Sequence, residues 1–445
     1  MPTLAGLDYV QLDFNKDGSR HNPGGAVYPA GVTDLIVISH GWHQDAPSSQ
    51  QMYTDLIGKL VTEAGASWSQ ANRTFGVCGI FWPSDKFRDD LGQETFNIVG
   101  GQAASVGGDL NQQVLEKQAF EFAAFLGIQD PDFVKLAVNA THGGGDADDL
   151  ADEIRKAIGP IDGVDDDVLR DHHELMTKPG HQLVDHLKVQ PVIRMHANVG
   201  GGGQAAAMAG GGGHAMGIIS GVTTGVATLL NQFAYFELKK RSAVVGTALG
   251  QFLDGAPGIA GVRIHLVGHS FGGRLVTAAA AVMHNKPASM CLLQAAFSHN
   301  AFGKDLHYSP IPKFTGGFRK VIEDGKVTGP IAVTHTWNDR AVGLAYPAAS
   351  RVSQSIASAF GGLNALANLV SVSDHFGGAL DVYGGLGSNG ALGLSAAEAT
   401  ATTFDGTSAL VLAKGHVTSL KCEFITEHTD IRKVEVARVL RAAMA

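Results

Sequence analysis

Residues 263–281 decide the fold that this sequence predicts: Arg263-Ile-His-Leu-Val-Gly-His-Ser-Phe-Gly-Gly-Arg-Leu-Val-Thr-Ala-Ala-Ala-Ala281. Residues 264–267 form a short apolar run with the composition of a buried strand. Residues 275–281 are rich in Ala and Leu and favour a helix. Gly268-His269-Ser270-Phe271-Gly272 joins the two runs. The stretch therefore predicts a strand, a tight turn and a helix.

The turn carries a Gly-x-Ser-x-Gly pattern, which suits a serine held in a strained conformation between a strand and a helix. Side chains two positions before and after that serine would clash with the neighbouring strand or helix, and Gly268 and Gly272 leave that space open. Ser270 would lie where the first helical N–H groups converge, which favours a developing oxyanion. Ser270 is therefore the candidate nucleophile. The alternative is a turn that merely joins two elements, since 58 of the 445 residues are Gly.

Length and composition bound the class of protein. A chain of 445 residues, 44% of them hydrophobic, can form two or three domains or one large α/β body with insertions. The formal net charge of −9 and the lack of a dense basic patch disfavour a nucleic-acid partner. Residues 1–8 have neither a basic region nor an apolar region of a signal peptide, so none is expected.

The three cysteines each fall in an apolar, strand-like run. We expect Cys78, Cys291 and Cys422 to be buried free thiols in a reducing compartment, which favours a cytoplasmic location. No cysteine pair has metal-ligand spacing, so no metal site is expected.

Strand and helix patterns alternate on both sides of residues 263–281. Before it we expect a strand or hairpin arm over 4–14, a strand over 34–39, a helix over 49–63 and a strand over 75–82. After it we expect strands over 289–297, from 331 to the acid Asp339, and over 419–424, and a closing helix over 434–444. This rhythm predicts an α/β fold with a mostly parallel central sheet flanked by helices.

The strand over 34–39 runs into His40-Gly41-Trp42-His43. Gly41 lets the main chain approach a substrate closely, as at the oxyanion hole of many acyl hydrolases. We assign the backbone N–H groups of Trp42 and Phe271 to an oxyanion hole. The alternative is an ordinary turn at the end of a strand. His40 and His43 are expected to be structural.

Residues 85–234 do not continue the alternation of strands and helices. They predict a large, mainly helical insertion that caps the core. Helices are expected over 112–126 and 146–158, a flexible Gly/Ala segment over 200–213, and a buried or lid helix over 215–236. The acidic residues of 146–153 fit a helix start better than a calcium site. The Asp171-His172-His173-Glu174 cluster is disfavoured as a metal site, because adjacent histidines point to different faces of a helix.

A serine needs a base within hydrogen-bond reach and a carboxylate that orients the base. Asp339 follows a strand downstream of Ser270, and His428 lies in the loop after the last strand. In a parallel sheet these loops emerge at one carboxyl edge, where ligands bind. Other candidates remain: Asp305, Asp374 and Asp381 for the acid, and His375 and His416 for the base. His269 is expected to pack near the serine rather than act as the base.

These features resemble the α/β-hydrolase superfamily of serine esterases and lipases. The matching segments are 35–42, 81–84, 267–273, 334–342 and 428–431, within a resemblance that covers 30–85 and 235–445. The resemblance implies a catalytic core over 1–84 and 235–445, Ser270 as nucleophile, Asp339 as acid, His428 as base, and no cofactor. The sequence departs from the common pattern because its largest insertion precedes the strand over 264–267 that leads into the Ser270 turn.

The expected function is hydrolysis of carboxylic esters through an acyl-enzyme, on a small-molecule or lipid-like acyl ester. No transmembrane segment is expected, because the apolar run over 215–236 is interrupted by polar residues. The sequence leaves the oligomeric state open. Alternatives are a peptidase, amidase or acyltransferase on the same three residues, or a catalytically silent scaffold whose glycine-rich insertion binds a partner.

Overall fold

The computed structural model describes residues 2–42, 46–84, 112–142, 144–159, 175–187, 189–193, 216–220, 222–308, 313–339, 341–347, 350 and 377–445. The predicted Gly/Ala segment over 200–213 and the Asp171–Glu174 cluster lie outside these residues, as does most of the glycine-rich stretch after residue 347.

The strands of the described residues build one large sheet and one small one. They are β1 (Thr3–Leu4), β2 (Leu7–Asp13), β3 (Asp34–Ser39), β4 (Phe75–Phe81), β5 (Val189–Ile193), β6 (Met216–Ser220), β7 (Arg263–His269), β8 (Ser289–Leu293), β9 (Ile331–His335), β10 (Ala399–Thr403) and β11 (Val417–Lys421). Nine of them pair in the order β1-β2-β4-β3-β7-β8-β9-β11-β10, and β5 pairs with β6. In the large sheet β1 and β2 are antiparallel and the other pairs are parallel. The prediction of an α/β fold with a mostly parallel sheet is confirmed.

Helices cover both faces of the large sheet. They are α1 (Ala46–Gln70), α2 (Gln112–Leu126), α3 (Phe133–Asn139), α4 (Gly145–Ile158), α5 (Gly180–Leu187), α6 (Val222–Asp254), α7 (Phe271–Val282), α8 (Arg319–Glu323), α9 (Leu386–Asn389) and α10 (Val434–Ala443). Short 3₁₀ turns lie at Ala140–His142 and Ile259–Gly261, and a π-helical turn at Ala341–Ala345.

The apolar run of β3 supplies both faces of the sheet, because successive strand side chains point to opposite sides. Leu35 and Val37 belong to one buried cluster, together with side chains of α2 to α7. Ile36 and Ile38 belong to the second cluster, together with side chains of α1 and α10. The molecule therefore has three layers, with the sheet between two groups of helices.

Hydrogen bonds and a continuous helix connect the helices of the predicted insertion to the core. The predicted boundary between residues 234 and 235 lies inside α6, which runs without interruption from Val222 to Asp254. On α6, Arg241 forms a buried ion pair of 2.7 Å with Glu237 and donates through Nη2 to the carbonyl of Phe125 at 2.8 Å. Gln118 donates to the carbonyl of Ala227 at 3.0 Å. The described helices of 112–158 thus form part of one layer with helices of the segment that follows the predicted insertion.

Several element boundaries differ from the predictions. Helix α1 extends beyond 49–63 at both ends, β8 ends at Leu293, and β11 covers 417–421 instead of 419–424. The run over 215–236 is β6 followed by the start of α6, not a separate helix. The buried side chains of Val226, Leu229 and Phe233 hold this part of α6 in the first core cluster, so the helix continues through its polar and glycine residues. The edge strand β10 was not predicted.

The structure also bears on the predictions for the cysteines and for a membrane-spanning segment. Cys78, Cys291 and Cys422 are free and buried, as predicted, and burial raises the pKa of each thiol to about 12. None of the described helices has the length and hydrophobicity that crossing a membrane would require.

Candidate active site

The strand order changes direction between β3 and β7, and this point positions the candidate site. From β3 the chain adds β4 on one side, and from β7 it adds β8 and β9 on the other. Ser39 at the end of β3 is paired with Gly268 of β7. Crevices at such reversals lie outside the carboxyl ends of the strands and bind ligands in open α/β sheets. Gly41 and Ser270 follow β3 and β7 at this crevice.

Ser270 occupies the strained turn that the sequence predicted. Its φ of 55° and ψ of −127° are unusual for a residue with a side chain. Its N–H donates to the carbonyl of Leu293 at 3.1 Å, and its carbonyl accepts from Gly273 and Ala296 at 3.0 Å each. The bonds to β8 and to the following loop stabilise the conformation.

Glycines surround Ser270 because nothing larger fits. A Cβ at Gly268 would lie 2.3 Å from the carbonyl oxygen of Gly272, and a Cβ at Gly272 would lie 2.4 Å from that of Ser39. A Cβ at Gly41 would lie 2.4 Å from the Cβ of Ser270. The backbone after β3 and the turn after β7 are therefore in direct contact.

Asp339 and His428, which are 89 residues apart, form a hydrogen bond at the same edge of the sheet. Nδ1 of His428 lies 2.8 Å from Oδ2 of Asp339; the Asp339 side chain is fully buried and the His428 side chain is 21% exposed. An ionised carboxylate only accepts hydrogen bonds, so Nδ1 carries the proton and donates it. The lone pair of the neutral ring then lies on Nε2, the nitrogen that a general base uses.

The loop after β9 and the end of β8 hold the Asp339 carboxylate in place. Oδ1 accepts the N–H of Val342 at 3.0 Å. Oδ2 also lies 3.5 Å from Nε2 of Gln294, at the long end of hydrogen-bonding range. Gln294 is oriented by Thr334, whose hydroxyl donates to Oε1 at 2.8 Å.

Gln294 is a site residue that the sequence analysis missed. It directly follows β8 and has a φ of 44°. The sequence gives no signal for this positive φ, since a glutamine after a buried strand has no preference for it. A polar residue at the carboxyl end of a central parallel strand was the only available indication.

His428 lies against the residue that precedes Ser270. The His269 ring donates from Nε2 to the backbone carbonyl of His428 at 2.9 Å. The two imidazole ring centroids are 4.7 Å apart. The structure thus brings Ser270, Asp339 and His428 to adjacent loops at one edge of the sheet.

Trp42 and Phe271 flank the serine turn. Their rings meet edge to face with centroids 6.4 Å apart. Phe271 is the first residue of α7, where a backbone N–H has no acceptor within its own helix. The turn that carries Trp42 and the first turn of α7 therefore meet beside Ser270.

His40 has a structural role in this turn. Its Nδ1 donates to the carbonyl of Gly41 at 2.9 Å, and its ring stacks on Trp82 with centroids 5.8 Å apart. Burial lowers its pKa to about 4, so His40 is neutral at pH 7. His43 lies outside the described residues.

The rival candidates lie elsewhere or bond to other groups. Asp381 accepts the N–H groups of its own loop, from Gly377 and Tyr383. Asp305 is exposed. His416 directly precedes β11, so it lies at the opposite edge of the sheet from Ser270. Asp374 and His375 are outside the described residues.

The fold and the site define an α/β protein with a Ser, Asp and His cluster at the carboxyl edge of a mostly parallel sheet. Within the segments that the structure describes, no three His, Cys, Asp or Glu side chains are grouped as a metal ion would need. Comparison of the chain with protein-family models, with curated proteins and with solved structures gives no match.

Proposed function

We propose that this chain is a serine hydrolase of the α/β-hydrolase superfamily that cleaves carboxylic esters. The proposal rests above all on the 2.8 Å hydrogen bond between His428 and the buried Asp339 beside the turn that holds Ser270. A carboxylate that orients a histidine next to a serine is the arrangement that activates a hydroxyl group.

The order of the elements supports the superfamily assignment. The serine, the acid and the histidine occur in that order along the chain and follow β7, β9 and β11. This is the chain order of α/β hydrolases, which differs from the orders in the chymotrypsin and subtilisin folds. The strained serine between a strand and a helix fits the same assignment.

The mechanism follows from the three groups. Nε2 of His428 takes the proton of the Ser270 hydroxyl while Oγ bonds to the ester carbonyl carbon and the carbonyl electron pair moves to oxygen. The N–H groups of Trp42 and Phe271 donate to this oxyanion. The intermediate collapses, and His428 returns the proton to the leaving alcohol. Water, activated by His428, then releases the acid from Ser270.

A fluorophosphonate probe tests the proposal, because it labels a serine only when the serine is activated. We expect labelling of the wild-type protein and of Ser69→Ala, an exposed serine on α1, and none of Ser270→Ala. Loss of the nucleophile should lower kcat by about 10⁶. Folded wild-type protein that stays unlabelled would instead support a non-catalytic scaffold.

A second assay separates the possible acyl donors. The same three residues can serve a peptidase, an amidase or an acyltransferase. We expect hydrolysis of p-nitrophenyl esters over a range of acyl-chain lengths and little turnover of the matching anilides. Faster turnover of anilides, or transfer to an added alcohol in place of hydrolysis, would reassign the reaction.

A further inference from the structure

His269 is a buried histidine beside Ser270 that the proposed mechanism does not use. It is the last residue of β7, and it is buried. Nε2 donates to the His428 carbonyl at 2.9 Å, and its ring packs on the His428 ring. A carbonyl can only accept, so the proton of the neutral His269 ring is on Nε2.

The loop that carries His428 is largely exposed and fixed mainly near its ends. The N–H and hydroxyl of Thr426 bond to the Asp430 carboxylate at 3.0 and 2.9 Å. Asp430 in turn pairs with Lys433 at 2.6 Å, and Ile431 is buried in the second core cluster. Between these points His428 makes hydrogen bonds to two of the described residues, one from its side chain to Asp339 and one from His269 to its backbone.

We propose that His269 is a positioning residue that fixes the backbone of the proposed general base, His428, and so holds its ring beside the turn that carries Ser270. This inference rests on the proposed function and deepens it. The bond from His269 to the backbone restricts rotation of the whole residue, while the bond to Asp339 sets only the ring tautomer and the ring orientation.

The chemistry of the contact favours a neutral imidazole. Burial, with added repulsion from His428, His40 and Arg432, holds the pKa of His269 well below its usual range. Nδ1 is buried without a hydrogen-bond partner among the described residues. His269 therefore acts as a constant single donor, and it adds no positive charge that would oppose protonation of His428 during the reaction.

Two variants separate the donated hydrogen bond from the bulk of the ring. His269→Leu fills the space without a donor, whereas His269→Gln places an amide N–H close to the position of Nε2. We expect His269→Leu to lower kcat by roughly 10- to 100-fold, as small misplacements of catalytic groups do. KM should change little, and His269→Gln should restore most of kcat. Equal activity of wild type and His269→Leu would overturn the proposal, as would equal losses in both variants at unchanged melting temperature.

A matched control tests whether a partly buried histidine at another strand end near this edge has the same effect. His335 ends β9, and its Nδ1 lies 3.3 Å from the Ser388 carbonyl. We expect His335→Leu to lower stability without a selective loss of kcat. A comparable loss of kcat in His335→Leu, without a matching loss of stability, would contradict the positioning role of His269.

Proton NMR gives a readout that needs no activity. In Ser270→Ala protein, the Nδ1 proton of His428 should give a downfield resonance that disappears in Asp339→Asn. His269→Leu should speed its exchange with water by about tenfold or more, and His269→Gln should not, if the hydrogen bond contributes a typical amount. If these exchange rates are found in a protein that the fluorophosphonate probe does not label, the positioning role of His269 is retained and the proposal of a hydrolase is rejected. An unchanged resonance in His269→Leu would reject the positioning role alone.

Discussion

Gly41 and Ser270 are in contact across two neighbouring parallel strands. A Cβ added to Gly41 would lie 2.4 Å from the Ser270 Cβ and 2.9 Å from its Oγ. The end of β3 therefore limits where the Ser270 side chain can lie. Because residue 41 has no side chain, the Ser270 hydroxyl and the backbone at Trp42 can lie close together.

Gly41→Ala should therefore reduce activity more than its effect on stability explains. The new methyl group must displace Ser270 or the turn after β3, so we expect a drop in kcat/KM of about 100-fold. Overpacking should also cost about 1–3 kcal/mol of stability. Gly261→Ala is the control, since a Cβ there meets nothing within 4 Å. Steady-state kinetics and urea unfolding check both; unchanged kinetics in Gly41→Ala would contradict the contact.

Asp339→Asn tests which acid orients His428. An amide at this position can donate to Nδ1 and so stabilise the wrong tautomer, and kcat should fall by about 10⁴ while the fold is retained. Asp381→Asn is the matched control, because Asp381 is also buried but bonds to the backbone of its own loop. We expect this variant to keep its activity within a few-fold. The reverse pattern in ester-hydrolysis assays would assign the acid to Asp381.

Acidic pH should destabilise the protein through its buried neutral histidines. The pKa of His40 is lowered by burial to about 4, and an unfolded histidine has a pKa of about 6.5. Between these values the unfolded chain binds a proton that the folded chain does not. The stability that His40 contributes is thus complete above about pH 6.5 and declines by about 1.4 kcal/mol per pH unit as the pH falls towards 4.

His40→Asn isolates this contribution, because the amide keeps a donor for the Gly41 carbonyl and does not titrate. Urea unfolding between pH 7.5 and 4.5 should show wild type losing stability faster than the variant below pH 6.5. A stability difference that stays constant over this range would show that His40 does not control the pH dependence.

Replacing one partner of the buried ion pair on α6 should strongly lower the free energy of unfolding. Glu237 and Arg241 are 5% and 3% exposed, so Arg241→Met leaves an unpaired buried carboxylate and should cost about 3–5 kcal/mol. Glu237→Leu with Arg241→Met should recover part of that loss. Lys156→Met, at an exposed pair with Glu153, should cost less than about 1 kcal/mol. Chemical unfolding of wild type, Arg241→Met, Glu237→Leu, the double variant and Lys156→Met checks the series, and additive effects of the two single variants in the double variant would contradict the coupling.

The elements that could be predicted from sequence are those that local composition determines. The bounds of β3 and α2 agree with the predictions for 34–39 and 112–126. Residues 35–38 are a continuous apolar run between polar residues, and residues 112–126 carry apolar side chains at helical spacing before Gly127. The placement of Ser270 at a turn also follows from local residues, because a single pattern of two glycines sets it.

The elements that could not be predicted depend on distant partners. Strand β10 consists of Ala and Thr residues that are mostly exposed, and it forms by pairing with β11. The role of Gln294 depends on Thr334 and Asp339, which are 40 and 45 residues away. The hydrogen bond between His269 and His428 spans 159 residues. Short sequence windows contain no information on such contacts.

Because the first part of α6 belongs to the predicted insertion and the rest packs against α7, residues 85–234 are not a removable module. An excision that ended at residue 234 would leave the rest of α6 without its amino-terminal turns and would remove the buried side chains of Val226, Leu229 and Phe233 from the first core cluster. Variants that shorten the insertion should keep α6 whole and be joined upstream of Val222.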